Sequence, residues 1–438
     1  MYIDQLNAEC TCVSLDRKAL FSALETEVGD AEFCKSLSET HPTLISNLPV
    51  YIRPDQARQM SEAITAIEAI CSLESYQEEA LKYAPEIARV RSNQRGVFMG
   101  YDFHIGIDGA KLIEINTNAG GALINAFVAE AQHVCCAPVR ALLPIQSSLA
   151  QTCAAFIEHF EAEWRRSKPN QLLTRVAIVD TNPEQQYLYP EFVLFQKMFQ
   201  KSGIEAVITA PAALTHHSGR LWLGDKQIDL VYNRLTDFYF EEEDSAQLAS
   251  AYRAGDVVIT PNPRTHAIFA NKRNLVFLSD AEALRQLGAA QSDISIVTAV
   301  VPKTRMVTLE NADELWTMRA QLFFKPLSGF GGKAAYRGEK ITRKVWQTIL
   351  DGSFVAQEYA KPSERLVAVD GIPQAMKVDI RNYSYDGKIS LVAARLYKGQ
   401  MTNFRTPGGG FTPAYSFPDV SLDGAMAASP DACCCAPQ

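Results

Sequence analysis

No stretch of this 438-residue chain approaches the ~20 consecutive apolar residues that a membrane-crossing helix needs, so no membrane partner is expected. The opening MYIDQLNAECTC has no basic segment followed by an apolar run, which predicts a cytoplasmic protein. No Lys/Arg-rich run stands out either, and 42 basic against 50 acidic residues leave a formal net charge of -8. Such a balance offers no basic stripe to neutralise a phosphate backbone, which sets nucleic acid aside. Zinc-type C-x-x-C pairs are lacking: the ten cysteines stand at Cys10/Cys12, Cys34, Cys71, Cys135/Cys136, Cys153 and Cys433 to Cys435. In a chain this long a disulfide framework is not expected, and reduced thiols are. The last run, Cys433-Cys434-Cys435, lies in a segment, 419–438, that reads as a flexible tail. Its prenylation spacing fails because Pro437 fits an aliphatic position poorly.

What is present is the composition of an ordinary folded protein, 47% hydrophobic with 24 Gly and 21 Pro spread along the chain. At about 150 residues per domain the length predicts two to three domains or lobes. The boundaries read as a helical region with a hairpin over 1–168, an α/β subdomain over 172–262, and a strand-rich lobe over 263–418. In the first, Met60, Ile64, Ile67 and Ile70 recur at helical spacing. GVFMGYDFHIGIDGAKLIEINTNAGG then alternates about an Asp108-Gly109 turn. In the second, RVAIVD, a helix ending at Gly203, IEAVITA and QIDLVYN form a βαβ-type unit, and a small hairpin at Gly224-Asp225 predicts a mixed sheet. In the third, FVAQEYA, AMKVDIRNYSYDG and KISLVAARLYKG read as strands of one small antiparallel sheet.

Two constellations carry chemistry. In FFKPLSGFGGK a strand delivers Lys325 beside a loop in which Gly329, Gly331 and Gly332 let backbone N–H groups close on phosphate oxygens. The loop is no Walker A motif, because Leu327 and Ala334 stand where glycine and Ser/Thr are required. The strand Phe354 to Tyr359 and the turn carrying Glu364 follow, placed to read adenine and ribose. The second constellation is Glu114 and Asn116, two apart on one strand and so on one face, where oxygen donors suit Mg²⁺. Asp102 joins them if the turn takes three residues, Ile107, Asp108 and Gly109, with Gly109 left-handed. His104 shares that face and is expected nearby without ligating the cation.

Asn271-Lys272, Lys325-Pro326 with its glycine loop, Gln357-Glu358-Tyr359 to Glu364, and Arg395 to Asn403 resemble, in order, the nucleotide lobe of ATP-grasp enzymes. Asp102, Glu114 and Asn116, which ordinarily come last, come first here. That order resembles the circularly permuted ATP-grasp enzymes, in particular the synthetase domain of the glutathionylspermidine synthetase family, over roughly residues 95 to 415. The resemblance implies an α/β (α+β) fold of ATP-grasp lobes with a Rossmann-like subdomain. It implies ATP and Mg²⁺ as cofactors and amide formation between a small-molecule carboxylate and an amine, through an acyl phosphate that no protein nucleophile need attack. The other readings are phosphorylation of a small acceptor and a nucleotide-binding module without turnover. Carried over by position, Lys272 and Lys325 contact phosphates, Gly329 to Gly332 cover the transferred group, Gln357, Glu358 and Tyr359 hold adenine, and Glu364 binds ribose. Asp102, Glu114 and Asn116 hold the metal, and Arg381 and Arg395 balance charge on the reacting group. For the substrates the sequence offers Asn403 and Arg405 in a glycine-rich turn. It also offers Arg234 and Asp237 at the carboxyl end of the third α/β strand. Gly100 stands where those synthetases carry an arginine two residues before the Asp, and no amidase-like domain is read ahead of the hairpin, so the substrates are left open.

Overall fold

The cleanest alternation in the sequence becomes the longest pair of strands. Ile372–Tyr385 and Lys388–Tyr397 pair antiparallel around Asp386 and Gly387, whose φ values of 49° and 75° are those of a tight hairpin turn. The computed structural model describes residues 2–11, 13–134, 147–327, 329 and 334–416. Gly331, Gly332 and the cysteine-bearing tail lie outside the described residues. Around the long pair a seven-stranded sheet forms in the order Val50–Ile52, Gly410–Ser416, Lys388–Tyr397, Ile372–Tyr385, Met99–Gly106, Gly109–Asn116, with Glu364–Val369 beside the first half of Ile372–Tyr385. The early hairpin and the late strands thus share one sheet.

Period two splits this sheet into two unlike faces. Tyr101, Phe103, Val378, Ile380, Ala394 and Leu396 point one way, against the stripe that Met60, Ile64, Ile67 and Ile70 form along the helix Pro54–Cys71. Fully burying each of those side chains contributes about 1.5–3 kcal/mol, which explains the helix's place on that face. The other face carries Asp102, His104, Lys377, Asp379, Arg381, Arg395 and Tyr397.

The α/β subdomain is a four-stranded sheet in the order Val258–Thr260, Leu230–Asn233, Arg175–Val179, Glu205–Thr209. Every pairing in it is parallel, which corrects the expectation of a mixed sheet. The hairpin around Gly224 does not join it. Asp229 accepts hydrogen bonds from the backbone N–H groups of Thr174 and Arg175, and Lys226–Ile228 pairs instead with Arg220–Leu223 in a separate antiparallel sheet. The helix Tyr189–Lys201 makes one crossover, and Ala246–Ala254, capped by Gly255 at φ 72°, makes another.

A second correction concerns the late strands, which do not form one small sheet. Phe354–Glu358 pairs with Leu322–Pro326 and Thr304–Met306 in a four-stranded antiparallel sheet, and only the other two join the large sheet. Leu322, Phe324, Phe354 and Ala356 bury their side chains against Trp346 and Ile349 of the amphipathic helix Arg343–Asp351. Strand Leu322–Pro326 therefore holds Lys325 across from the charged face of the large sheet. Cys10, Cys34, Cys71 and Cys153 are free thiols.

Candidate functional site

Between the two antiparallel sheets lies a cleft of about 1020 Å³. Its walls include Glu114 and Asn116 from the early hairpin, Lys272, and Lys325 with Gly329. The chain segment Gln357, Glu358 and Tyr359, together with Arg395, completes it. Residues up to 281 positions apart in sequence thus meet around one cleft. Lys272 donates to the Gly329 carbonyl at 3.0 Å, which ties the lysine to the start of the glycine loop.

The register of the hairpin decides what Asp102 can do. The turn closes on two residues, Ile107 and Asp108, between paired Gly106 and Gly109, and Gly109 is left-handed at φ 91°. Continued without interruption, that ladder would set Asp102 opposite Ile113 and away from Glu114. A bulge intervenes: Phe103 pairs with Leu112 and Asp102 with Glu114, leaving Ile113 as the extra residue. Asp102 and Glu114 do share a face as expected, but through the bulge and not through a three-residue turn. The bulge also frees the Ile113 carbonyl from the ladder, and the Lys325 ammonium donates to it. Lys325 donates as well to Gln357 Oε1 at 2.8 Å. Burial is the main cause that brings the Lys325 pKa down to about 8, with Glu114 opposing it and Lys272 adding to it.

Glu114 stays ionised. Burial alone would raise its pKa, but Lys272, Lys325 and Arg395, helped by the Asn116 amide, hold it down to about 2. Asn116 Nδ2 donates to Glu114 Oε1 at 3.1 Å and to Asp102 Oδ2 at 3.0 Å, which turns its carbonyl oxygen away from both carboxylates. His104 lines the cleft with its Nδ1 2.7 Å from the Ala360 carbonyl. Burial lowers its pKa to about 4, so a neutral ring pins the segment that follows Gln357 to Tyr359.

Asp102 is fully buried behind the cleft wall, and its oxygens are taken. Arg381 clamps it with Nε at 2.6 Å from Oδ1 and a second nitrogen at 2.5 Å from Oδ2, while Arg395 reaches Oδ2 at 2.7 Å. Arg395 also donates to Asp379, an acid that the sequence reading passed over. Its signal was present in Lys377, Asp379 and Arg381, which alternate with Val378 and Ile380. Asp379 lines the cleft and accepts from Thr402 at 3.0 Å, yet its Oδ1 and the Nε of Arg395 are buried without partners. Arg381 instead points inward, over Gly100. A Cβ on Gly100 would lie 2.5 Å from the Ala119 Cβ and 3.4 Å from Arg381 Nε, so no side chain fits there.

Several expected residues are held elsewhere. Glu364 does not line the cleft and stands exposed across the strand pair from Lys377, which does. The Asn403 amide donates to the Lys398 carbonyl at 2.7 Å while its oxygen accepts from Arg405 N and Thr406 Oγ1, both at 3.0 Å. Both ends are spent folding its own loop, so it does not reach a cation. Arg405 is exposed beside Tyr187, away from the cleft. The Asp237 carboxylate accepts from the backbone N–H groups of Glu241 and Glu242 at 2.9 and 3.1 Å, a turn-closing role. Arg234 is buried at the carboxyl end of the parallel sheet over the rings of Tyr232 and Phe192. The glycine turn after Asn116 is also filled by protein. A Cβ at Gly120 would meet Leu188 at 2.3 Å and Arg234 at 2.9 Å, and one at Gly121 would meet Phe411 at 2.3 Å.

Among the described residues no group of three or more His, Cys, Asp or Glu side chains could hold a metal by itself. The ionised Glu114 carboxylate on the cleft wall is nonetheless a fit donor for Mg²⁺. That ion commonly takes one or two protein ligands and completes its shell with water and phosphate oxygens.

No family model and no curated protein matches the chain. Among solved structures, a glutathione synthetase-like effector from Globodera pallida is similar at 13% identity. The match covers 92% of this chain and 98% of that one, with a TM-score of 0.54. A protein assigned as a γ-glutamylcysteine synthetase, from Methylobacillus flagellatus, matches at 11% identity over 82% and 86% of the two chains, TM-score 0.47. The ATP-grasp ligase PsnB, complexed with a minimal precursor, Mg and ADP, matches at 11% identity over 55% and 88%, TM-score 0.29. The first likeness spans both chains almost fully and is one of fold: the α/β architecture is like that of the glutathione synthetase-like effector. Among the described residues no helix is long and apolar enough to cross a membrane.

Proposed function

We propose that the chain is an ATP-dependent ligase that activates a small-molecule carboxylate as an acyl phosphate and transfers it to an amine, releasing ADP and phosphate. The observation that carries this reading is the convergence of Lys272, Lys325, Glu114 and Asn116 on one cleft bordered by Gln357, Glu358 and Tyr359. Two lysines beside a glycine loop suit a polyphosphate, and a hydrogen-bonding strand edge next to Tyr359 suits a purine. Mg²⁺ held by Glu114 and Asn116 would supply charge neutralisation on the phosphates. Asp102 in this arrangement fixes Arg381 and Arg395, so its proposed part is to orient the arginines. Arg395, a residue of the cleft wall, is the proposed charge balance for the reacting group. Arg381 keeps the Asp102 carboxylate rigid from behind. The protein's work is positioning and charge balance, which accords with a site whose described residues present cations and a neutral imidazole.

The test is ADP release with MgATP against a panel of amino acids, short peptides and polyamines, paired with mass detection of an amide product. ADP release that requires an amine supports the ligase. A stable phosphorylated product in its place would move the assignment to a kinase, and no nucleotide turnover with any acceptor would remove the enzyme reading. Glu114→Gln is expected to lower turnover about 100-fold with the fold intact by circular dichroism. Unchanged turnover would take Glu114 out of the cation site.

A further inference from the structure

Glu191 serves a part of the chain far from its own helix. It stands in the first turn of Tyr189–Lys201 in the α/β subdomain, buried, and accepts the backbone N–H groups of Gly121 at 2.7 Å and Leu123 at 3.0 Å. Those donors open the helix Ala122–Glu130 and have no partner within it. Other helices of the chain are capped from next door in sequence: Asp16, Asp30, Ser148 and Thr342 each accept from their own first turn. Ala122–Glu130 begins instead after Gly121, left-handed at φ 96° and without a side chain to cap with. A carboxylate 70 positions further along supplies the cap, so the start of this helix is tied to the α/β subdomain.

The turn thus fixed leaves directly from the cleft, because Asn116 ends the strand Gly109–Asn116 just before it. Asn118 Nδ2 donates to the Leu235 carbonyl at 3.0 Å, and the Gly120 carbonyl accepts the Tyr383 hydroxyl at 2.7 Å and Arg381 at 3.4 Å. Arg381 in turn clamps Asp102, which accepts from Asn116. A closed circuit therefore runs from Asn116 through Asp102 and Arg381 to the Gly120 carbonyl and back along the turn. Glu191 pins that circuit one residue past Gly120. A shift there reaches the strand through the backbone and the Asp102 clamp through Arg381, and a site is only as exact as the groups that hold its holders.

We propose that Glu191 is a positioning residue for the cation site: from the α/β subdomain it sets the turn after Asn116, and with it the placement of Glu114 and Asn116. This part for Glu191 rests on the reading of Glu114 and Asn116 as the holders of Mg²⁺.

A non-hydrolysable ATP analogue is titrated into the full-length protein by calorimetry at a series of Mg²⁺ concentrations, and the Mg²⁺ level that gives half of the tightening is read. Glu191→Gln keeps the shape of the side chain, but its amide nitrogen cannot accept, so one of the two N–H groups is released. That Mg²⁺ level is expected to rise at least about fivefold, with the metal-free affinity within about twofold of wild type. Glu163→Gln is the matched control, because Glu163 is likewise a buried carboxylate that accepts two backbone N–H groups, those of Arg95 and Gly96, away from the turn. It should lower the unfolding midpoint and leave the Mg²⁺ level in place. Tyr383→Phe removes another hold on Gly120 and should raise the Mg²⁺ level by a smaller factor, so it decides the matter should Glu191→Gln fail to fold. An unshifted Mg²⁺ level in both turn variants, an equal shift in Glu163→Gln, or an equal loss of metal-free affinity overturns the proposal and leaves the cation reading standing. A wild type whose binding does not tighten with Mg²⁺ overturns both.

Discussion

The parallel sheet and the seven-stranded sheet are built from strands of different apolar content and bury it differently. Along Arg175–Val179 and Leu230–Asn233 nearly every side chain is buried, on both faces, between packed helices. Along Met376 to Arg381 and Met99–Gly106 the apolar residues keep to one face, and the other carries Asp102, His104, Lys377, Asp379 and Arg381. A strand that is apolar throughout tells of scaffold. A strand that alternates, yet is buried on its polar face too, must neutralise the charges against one another or against a ligand. Asp102, Arg381, Arg395 and Asp379 take the first course. Glu114, Asn116 and Lys325 leave room for the second.

The predictions probe that contrast. The largest effect on stability is expected from Asp102→Ala, which strands Arg381 and Arg395 as buried charges and should cost about 3–5 kcal/mol in urea unfolding. A loss below 1 kcal/mol would mean that solvent reaches the arginines. Lys325→Met is expected to lower ADP formation about 100- to 1000-fold and to lower the unfolding midpoint, because the Ile113 carbonyl and Gln357 lose their donor and Glu114 loses a nearby cation. On the scaffold side, Ile178→Val should cost about 0.5–1.5 kcal/mol and leave the nucleotide affinity where it was.

The smallest effect is in pH dependence. The Lys325 pKa falls from about 10.4 in the unfolded chain to about 8 in the fold. Between those values the unfolded state binds the extra proton, so this group makes stability rise with pH across that window. The cleft loses a cation over the same range. Affinity for a nucleotide is therefore expected to fall as pH climbs through about 8, and Lys325→Met should lack that step.

How much of this could be read from the chain differs between the two kinds of region. The Pro54–Cys71 helix and the placement of Lys325 beside a glycine loop follow from local pattern. The meeting of Glu114, Lys272 and Lys325 followed only from a resemblance in motif order, since nothing local links positions so far apart. The bulge at Ile113 was invisible, because a hairpin's turn and a mid-strand insertion give the same phase at Asp102. Its consequence, a free carbonyl for Lys325, is a tertiary fact. Asn403 and Asp237 misled for the opposite reason: Asn and Asp beside turns satisfy backbone groups as readily as ligands, and spacing cannot separate the two uses. Asp379 was legible by its alternation with Val378 and Ile380, but it stood in the shadow of Arg381.

The central claim is that the cleft between the two antiparallel sheets takes an ATP–cation complex through Lys325 and Glu114. Calorimetric titration of a non-hydrolysable ATP analogue tests it most directly, with and without Mg²⁺, in the wild type, Lys325→Met and Glu114→Gln. Saturable binding that weakens at least about tenfold in Lys325→Met, and loses its Mg²⁺ dependence in Glu114→Gln, is the predicted result. Binding of equal strength in all three proteins, or none in the wild type, would contradict it.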